Sequence, residues 1–487
     1  MFHCNRKHLS LSLRRNLFIL PLLLPFVAYA QNNTTASADI NKQLADLTSL
    51  VRALQARVDD LESQLKTSGR SITQTSAPAN IALPATAPAN VAAPASVTAI
   101  AGNAVPAATA PPVGSDFLRG TTVNVLLDGY YGYNFNNPIG RVNLLRAYDV
   151  SSNSFSLNQA DVVLENAADP EHGKRFGLRL DLQFGQATET LQGNASNELR
   201  PDVWRNIFQA YGTYVLPVGN GLTVDFGKWA SSLGIEGNYT KDQMNYSRSY
   251  WFNFLPFYHT GARLNYKLTN SLTANYWVTN GTEQTEPFNN FKDQLLGLNL
   301  QPVKTLTWTL NYYLGQEHPD VQYLAVDNGG GLPTQQGTPF EPILNAPKGK
   351  LHVLDTYATW QPTPKLTLAI EGDYVVQRLT TTSPPLHTAG GAGYARYQLT
   401  PRTAFTGRAE YLSDRGGVFT GTVQVIKETT ATFEQRIADG FLLREEWRRD
   451  FSNHPYFLTD TLDVLKKEQN TATIGVVWWF GAKEGAW

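Results

Sequence analysis

The 487-residue chain has one cysteine and two methionines. Cys4 precedes the first apolar run and is removed with it, so the mature chain carries no thiol. That excludes disulfides, thiolate metal sites, a cysteine nucleophile and a lipid anchor on Cys4. A charge bias is missing too: Lys+Arg number 40 against Asp+Glu 41, so no net field favours nucleic acid. Nor is there a long apolar run. Leu17 to Val27, preceded by Arg6, Lys7, Arg14 and Arg15 and followed by Ala28-Tyr29-Ala30, falls far short of the roughly 20 residues of a membrane helix. It reads as a secretory signal peptide, residues 1–30, cleaved after Ala30. Arg14-Arg15 would suit twin-arginine export; a chain that must stay unfolded until it reaches its membrane favours the general secretory route.

Chemistry-bearing groupings are equally scarce. His172, His259, His318, His352, His387 and His454 are scattered without ligand spacing, so no metal site and no cofactor is expected. His259 with Ser247 or Ser249 comes nearest to a base and nucleophile, and His259 reads better as a polar lumen or interface residue. Gly329 to Gly331, and Gly390, Gly391 and Gly393, are assigned to loops and lack the strand-to-helix setting of a phosphate cradle. The chain is not expected to be an enzyme.

What is present begins with Ile40, Leu44, Leu47, Val51, Leu54, Val58, Leu61 and Leu65, spaced alternately four and three apart. This is a heptad seam and predicts a coiled-coil segment over residues 31–69. Val51 and Val58 at position a with mostly Leu at d lean towards two strands, whereas Leu50 at g and an Arg57–Glu62 pairing between parallel helices admit a third. The other reading is one amphipathic helix packed on its own barrel. At under about 30 residues the helix would be marginal alone, which favours assembly. Residues 70–118, rich in Ala, Pro, Thr, Asn and Val, bury no core and form a disordered spacer.

Residues 119–487 read as strand after strand. In Pro256 to Leu268, Tyr258, Thr260, Ala262, Leu264, Tyr266 and Leu268 alternate with His259, Gly261, Arg263, Asn265 and Lys267. A turn at Thr269 to Ser271 follows, and Leu272 to Gly281 resumes the alternation. Each arm is about ten residues, enough for a tilted strand to cross a bilayer. The pattern recurs from Phe176 to Phe184, Leu222 to Gly227, Leu306 to Leu314, Leu366 to Glu371, Phe441 to Arg448 and Ala472 to Phe480. Tight connections near Pro217, Thr269, Pro302, Gln361, Thr400 and Ile437 take turns with long polar ones: Phe135 to Asn153, Gln186 to Asn206, Ala230 to Leu255, Thr282 to Lys292, Gln316 to Lys350, Leu379 to Gly390 and Asp450 to Asn470. Short periplasmic turns and long external loops define outer-membrane barrels. Lipid leaves no strand edge unpaired, so the sheet must close. The expected fold is all-β, a transmembrane antiparallel barrel of about 16 strands. Aromatics at Tyr130, Tyr131 and Tyr133, at Tyr250 to Phe252 and at Trp478 to Phe480 are expected in the two interfacial girdles.

A long early loop can fold inward and narrow such a channel. Ala230 to Leu255 is the candidate, carrying Glu236, Lys241, Asp242 and Arg248. Against it, alternation places Arg179, Asp181, Asp225, Arg263, Glu371, Asp373, Arg408, Glu410, Arg444, Glu446 and Arg448 on the lumen side. Together they would form a mixed-charge constriction screening solutes by size and charge. The alternative role is solvation and mutual pairing inside the barrel.

Several pieces together resemble the β-barrel porins of the OmpL-like group: Phe155-Ser156-Leu157-Asn158-Gln159-Ala160, Gln209-Ala210-Tyr211, Gly219 to Lys228, Leu233-Gly234-Ile235-Glu236, Asn245 to Ser249 and Pro256 to Arg263. The likeness runs from about Val123 onward. It implies an outer-membrane channel of a Gram-negative bacterium, with no catalytic residues. Its partners would be outer-membrane lipid, the barrel-assembly machinery and two further copies in a homotrimer. In a departure from the usual ending on the last strand's aromatic, Gly481 to Trp487 follow Phe480, leaving Phe480 or Trp487 as the assembly signal. The function expected is passive diffusion of small hydrophilic solutes and ions. The alternatives are a phosphate- or sugar-selective trimeric porin, which the coiled coil also resembles, and a tether binding cell wall through its periplasmic stalk.

Overall fold

The computed structural model describes residues 120–487 apart from 193–197, 199, 324–339 and 484. The expected signal peptide, the coiled-coil seam from Ile40 to Leu65 and the Ala/Pro-rich spacer lie outside the described residues.

Among those described, sixteen strands close into one barrel. They are β1 (Thr122–Asn134), β2 (Ser154–Asn166), β3 (Phe176–Phe184), β4 (Ile207–Leu216), β5 (Leu222–Ala230), β6 (Tyr258–Thr269), β7 (Leu272–Thr279) and β8 (Asp293–Val303). There follow β9 (Leu306–Gly315), β10 (Leu351–Thr363), β11 (Leu366–Gln377), β12 (Leu386–Thr400), β13 (Thr403–Asp414), β14 (Gln424–Ala438), β15 (Phe441–Ser452) and β16 (Glu468–Gly481). Sequence neighbours pair antiparallel. β1 closes on β16, with Asn124 opposite Gly481 and Asn134 opposite Thr471. Every described strand edge of the barrel is therefore paired, as a lipid environment demands.

The alternation sorts polarity inside out. Phe155, Phe226, Ile370 and Phe480 are 89%, 74%, 65% and 69% exposed on the outer face, whereas inward Asp128, Arg179, Glu371 and Arg448 are buried. A soluble protein does not present so much apolar surface, and a lipid-facing wall does. Ile370 stands mid-strand on β11, so Ile370→Arg is expected to destabilise the refolded barrel by about 2–4 kcal/mol. Denaturant titration in vesicles measures it, and an unchanged midpoint would contradict a lipid-facing position.

The structure moves several boundaries. Residues 386–390, expected in a loop, open β12, which also contains Gly391 and Gly393. Glycine lowers strand propensity, yet here the neighbouring strands come too close for a side chain. A Cβ on Gly390 would overlap the carbonyl oxygen of Tyr411, and one on Gly391 that of Glu371. Two further connections, at 167–175 and 415–423, join β2 to β3 and β13 to β14. The outward facing that an aromatic girdle requires is found for Tyr131, Tyr133, Trp478 and Phe480, whereas Trp479 packs against the inward cluster. Outward facing fails for Tyr250, Trp251 and Phe252, 0%, 0% and 8% exposed, because they form a one-turn helix inside the barrel. Tyr130 also points inward, its hydroxyl donating to Gln186 Oε1 at 2.7 Å.

Candidate functional site

The connection between β5 and β6, residues 231–257, leaves the rim and crosses the lumen. Its own sequence shapes it. Ser249 Oγ caps the helix Tyr250–Phe254 by accepting Phe252 N at 3.0 Å. Glu236 Oε2 accepts Ser249 N at 2.6 Å and ties the outgoing limb to the returning one. Arg248 donates to the carbonyls of Gly237, Asn238 and Tyr246 at 3.1, 2.8 and 2.9 Å, with its guanidinium 4.8 Å over the Tyr148 ring. The loop is thus wrapped around its own arginine.

Three sectors of wall hold it. On β1 to β3, Asp128 accepts Thr240 Oγ1 at 2.7 Å and the Tyr246 hydroxyl at 2.9 Å; Gln159 accepts Thr240 N at 3.1 Å; Asp181 accepts the Tyr239 hydroxyl. Burial pushes both phenols far above their ordinary values, so they remain donors. On β10 and β11, Asp355 accepts Gly234 N at 3.2 Å and Glu371 accepts Ile235 N at 2.9 Å. With Asp373 these carboxylates gather within 4.8 Å, the one grouping among the described residues whose spacing could hold a cation. On β13 to β15, Arg408 pairs with Glu236 at 2.9 Å and donates to Ser247 O at 2.7 Å. Glu446 accepts the amides of Tyr246 and Ser247 at 2.7 and 2.9 Å, and Glu410 that of Tyr250 at 2.7 Å. Arg444 donates to Thr240 O at 2.6 Å and Arg448 to Arg248 O at 2.5 Å. Contacts on opposite sides of a closed tube require the loop to span it.

The two sides of the loop differ. Towards the long loops, inward Trp229, Trp277, Leu295, Tyr313, Val353 and Val375 are buried against Leu233, Trp251 and Leu255 of the loop. Towards the short turns, a cavity of about 470 Å³ opens, lined among others by Glu165, Arg179, Tyr211, Thr213, Asn265 and Lys267.

Residues 120–480 match the family described as putative beta-barrel porin-2, OmpL-like. The chain belongs to this porin family. No curated relative matches it. Similar solved structures include an anion-selective porin from Comamonas acidovorans, 9% identical, covering 74% of this chain and 99% of that one at a TM-score of 0.48. Others are the channel DcaP of Acinetobacter baumannii, 10% identical, 74% and 98% covered, TM-score 0.45, and OmpT of Vibrio cholerae in a trimer form, 10% identical, 74% and 99% covered, TM-score 0.44. Family and fold point to an outer-membrane channel and not to an enzyme.

In this porin the charged residues selected from sequence fall into separate groups. Arg408, Glu410, Arg444, Glu446 and Arg448 bind the loop, to which Glu236 and Arg248 belong. Glu371 and Asp373 join Asp355. Asp242 pairs with Lys241 at 2.7 Å at the loop's tip. Arg179 pairs with Asp181 at 3.0 Å and Arg263 with Asp225 at 2.7 Å on the turn side, where the Arg263 side chain keeps 19% exposure. Arg263 also lies 5.0 and 5.1 Å over Tyr211 and Trp229. His259 is not joined to Ser247 or Ser249: its ring contacts Ser231 Oγ at 3.1 Å and Gly281 O at 3.3 Å. Asp128, Gln159, Asp355, Glu428 and Asp450 escaped the sequence reading. Glu428 sits on β14, where outward Lys427, Thr429 and Ala431 blur the apolar parity; Asp128 and Gln159 have inward parity that alternation could have supplied.

Proposed function

We propose that the chain forms a narrow water-filled channel for passive diffusion of small hydrophilic solutes and ions, its aperture set by residues 231–257. The observation that carries this is the loop's fixation to β1–β3, β10–β11 and β13–β15 at once. A loop so held leaves only the space beside it for solutes, and paired arginines and acids around that space screen charge without an anion-only ladder. The apolar packing on the long-loop side argues for small solutes. Phe480, outward on β16, is the better assembly signal, and the turn side is periplasmic. Residues 31–69 would then form a periplasmic stalk of a homotrimer, joined through the 70–118 spacer.

Deleting Gly237 to Asn245 is expected to raise planar-bilayer conductance and weaken ion selectivity. Unchanged conductance and selectivity would sink the loop's role. Liposome swelling separates a channel from a cell-wall tether, since a tether passes no sugar.

A further inference from the structure

The segment after β16 turns back into the barrel. Lys483 N donates to Asn124 Oδ1 at 2.9 Å and its ammonium pairs with Glu165 at 2.7 Å, both partners facing inward on β1 and β2. Beyond them the segment reaches the tip of the constriction loop. Gly485 O accepts Lys241 Nζ at 2.8 Å, and Trp487 N donates to Asp242 Oδ2 at 3.1 Å. The Trp487 ring lies 4.6 Å beneath the Lys241 ammonium and 5.8 Å edge-on from Tyr239. Lys241 is consequently enclosed by a carboxylate, a carbonyl and an indole face, the setting in which a cation–π contact is strongest.

None of these contacts is needed to close the barrel, because β16 is already paired with β1 and β15 along its length. They join two pieces of chain that lie outside the strands, and one of them is the loop tip. The opposite face of that tip is held by the wall: by Asp128, Gln159 and Arg444 through Thr240, and by Asp181 through the Tyr239 hydroxyl. The tip is therefore clamped between wall and returning segment, beside the turn-side cavity that Glu165 and Arg179 line.

We propose that Lys483 and residues 485–487 act as a latch that holds the tip Tyr239–Asp242 against the wall and narrows the turn-side mouth, with Trp487 as its positioning residue. This rests on the reading of residues 231–257 as the constriction. A tip fixed on one face only swings further into the space it borders, so losing the latch widens the average aperture and makes it fluctuate.

The test is single-channel recording of the full chain beside Trp487→Ala, Lys241→Ala, the double variant and the Gly237–Asn245 deletion. Each single change is expected to raise unitary conductance on the order of 1.5-fold and to increase open-channel noise. Because the two side chains touch, the double variant should exceed the larger single effect by little. Lys241→Ala leaves the end segment intact, so it carries the test if Trp487→Ala fails to assemble. The thermal midpoint of the barrel, which a merely structural contact would lower, should hold while conductance changes. Parental conductance and noise in Lys241→Ala, with the deletion still altering current, would overturn the latch and leave the constriction standing. A deletion without effect would remove the constriction and the latch with it.

Discussion

Replacing Arg408 by alanine is expected to unfold the barrel at markedly lower denaturant and to free the constriction loop. Arg408 is buried and pairs with Glu236, Glu410 and Glu428 at 2.9, 3.1 and 2.9 Å. It also donates to the carbonyls of Ser247 and Arg248 at 2.7 and 3.2 Å. Without it the buried Glu236 and Glu410 lose the cation that pairs with them, and Glu428 is left with Arg448 alone. Leaving a buried charge uncompensated costs about 3–5 kcal/mol, and the loop loses its hold on β13. Lysine should not restore the site, since a single ammonium cannot reproduce the fork that meets carboxylates and carbonyls together. Arg449 is the control. Its pair with Glu468 is 39% and 44% exposed, and such exposed pairs contribute about 0–1 kcal/mol. Unfolding midpoints in detergent micelles compare the two. Equal midpoints for Arg408→Ala and Arg449→Ala would mean that the arginine core of the loop contributes nothing beyond a surface pair.

Arg408, Glu410 and Glu236 were legible in the sequence as lumen residues; Glu428, and which of these groups pair, were not. Alternation needs only local parity, which is why β3, β6, β9 and β15 emerged with the correct face inward and the barrel with them. A loop inside a tube obeys no period. The aromatics of Tyr250 to Phe252 resembled a lipid girdle because composition near a strand end cannot distinguish the two sides of a wall. Their burial follows from the cap at Ser249, which starts a helix, and from the Glu410 contact to Tyr250 N, which joins residues 160 apart in sequence and so leaves no local signal. Parity also weakens where outward residues are small or charged. That hid Glu428 behind Lys427 and Thr429, and with it the acid that joins Arg408 to Arg448, 3.1 Å away. The same limit misassigned Gly390 and Gly391, whose role is set by strands β11 and β13 and not by their immediate neighbours.

Those glycines yield the second large effect. Gly390→Val and Gly391→Val are each expected to prevent the barrel from closing, whereas Gly393→Val should fold. All three lie on β12 within four residues, so strand propensity alone would make valine an improvement at each. Space decides otherwise. A Cβ at Gly390 would overlap the Tyr411 carbonyl oxygen on β13, one at Gly391 would overlap that of Glu371 on β11, and one at Gly393 meets nothing within 4 Å. Overpacking against side chains costs about 1–3 kcal/mol; here the obstacle is backbone already committed to a ladder, which has no rotamer to yield. To relieve it β12 must draw away from β11 or β13, and a closed sheet cannot open one seam without straining the others. The functional consequence runs through Glu371. Its carboxylate accepts Ile235 N at 2.9 Å, so moving β11 would shift the start of the constriction loop even in a variant that still inserts. Heat-modifiable mobility on gels reports closure, and conductance reports the loop. If Gly390→Val and Gly393→Val migrate alike and conduct alike, β12 does not approach its neighbours this closely, and the anchoring of the loop by β11 must be reconsidered.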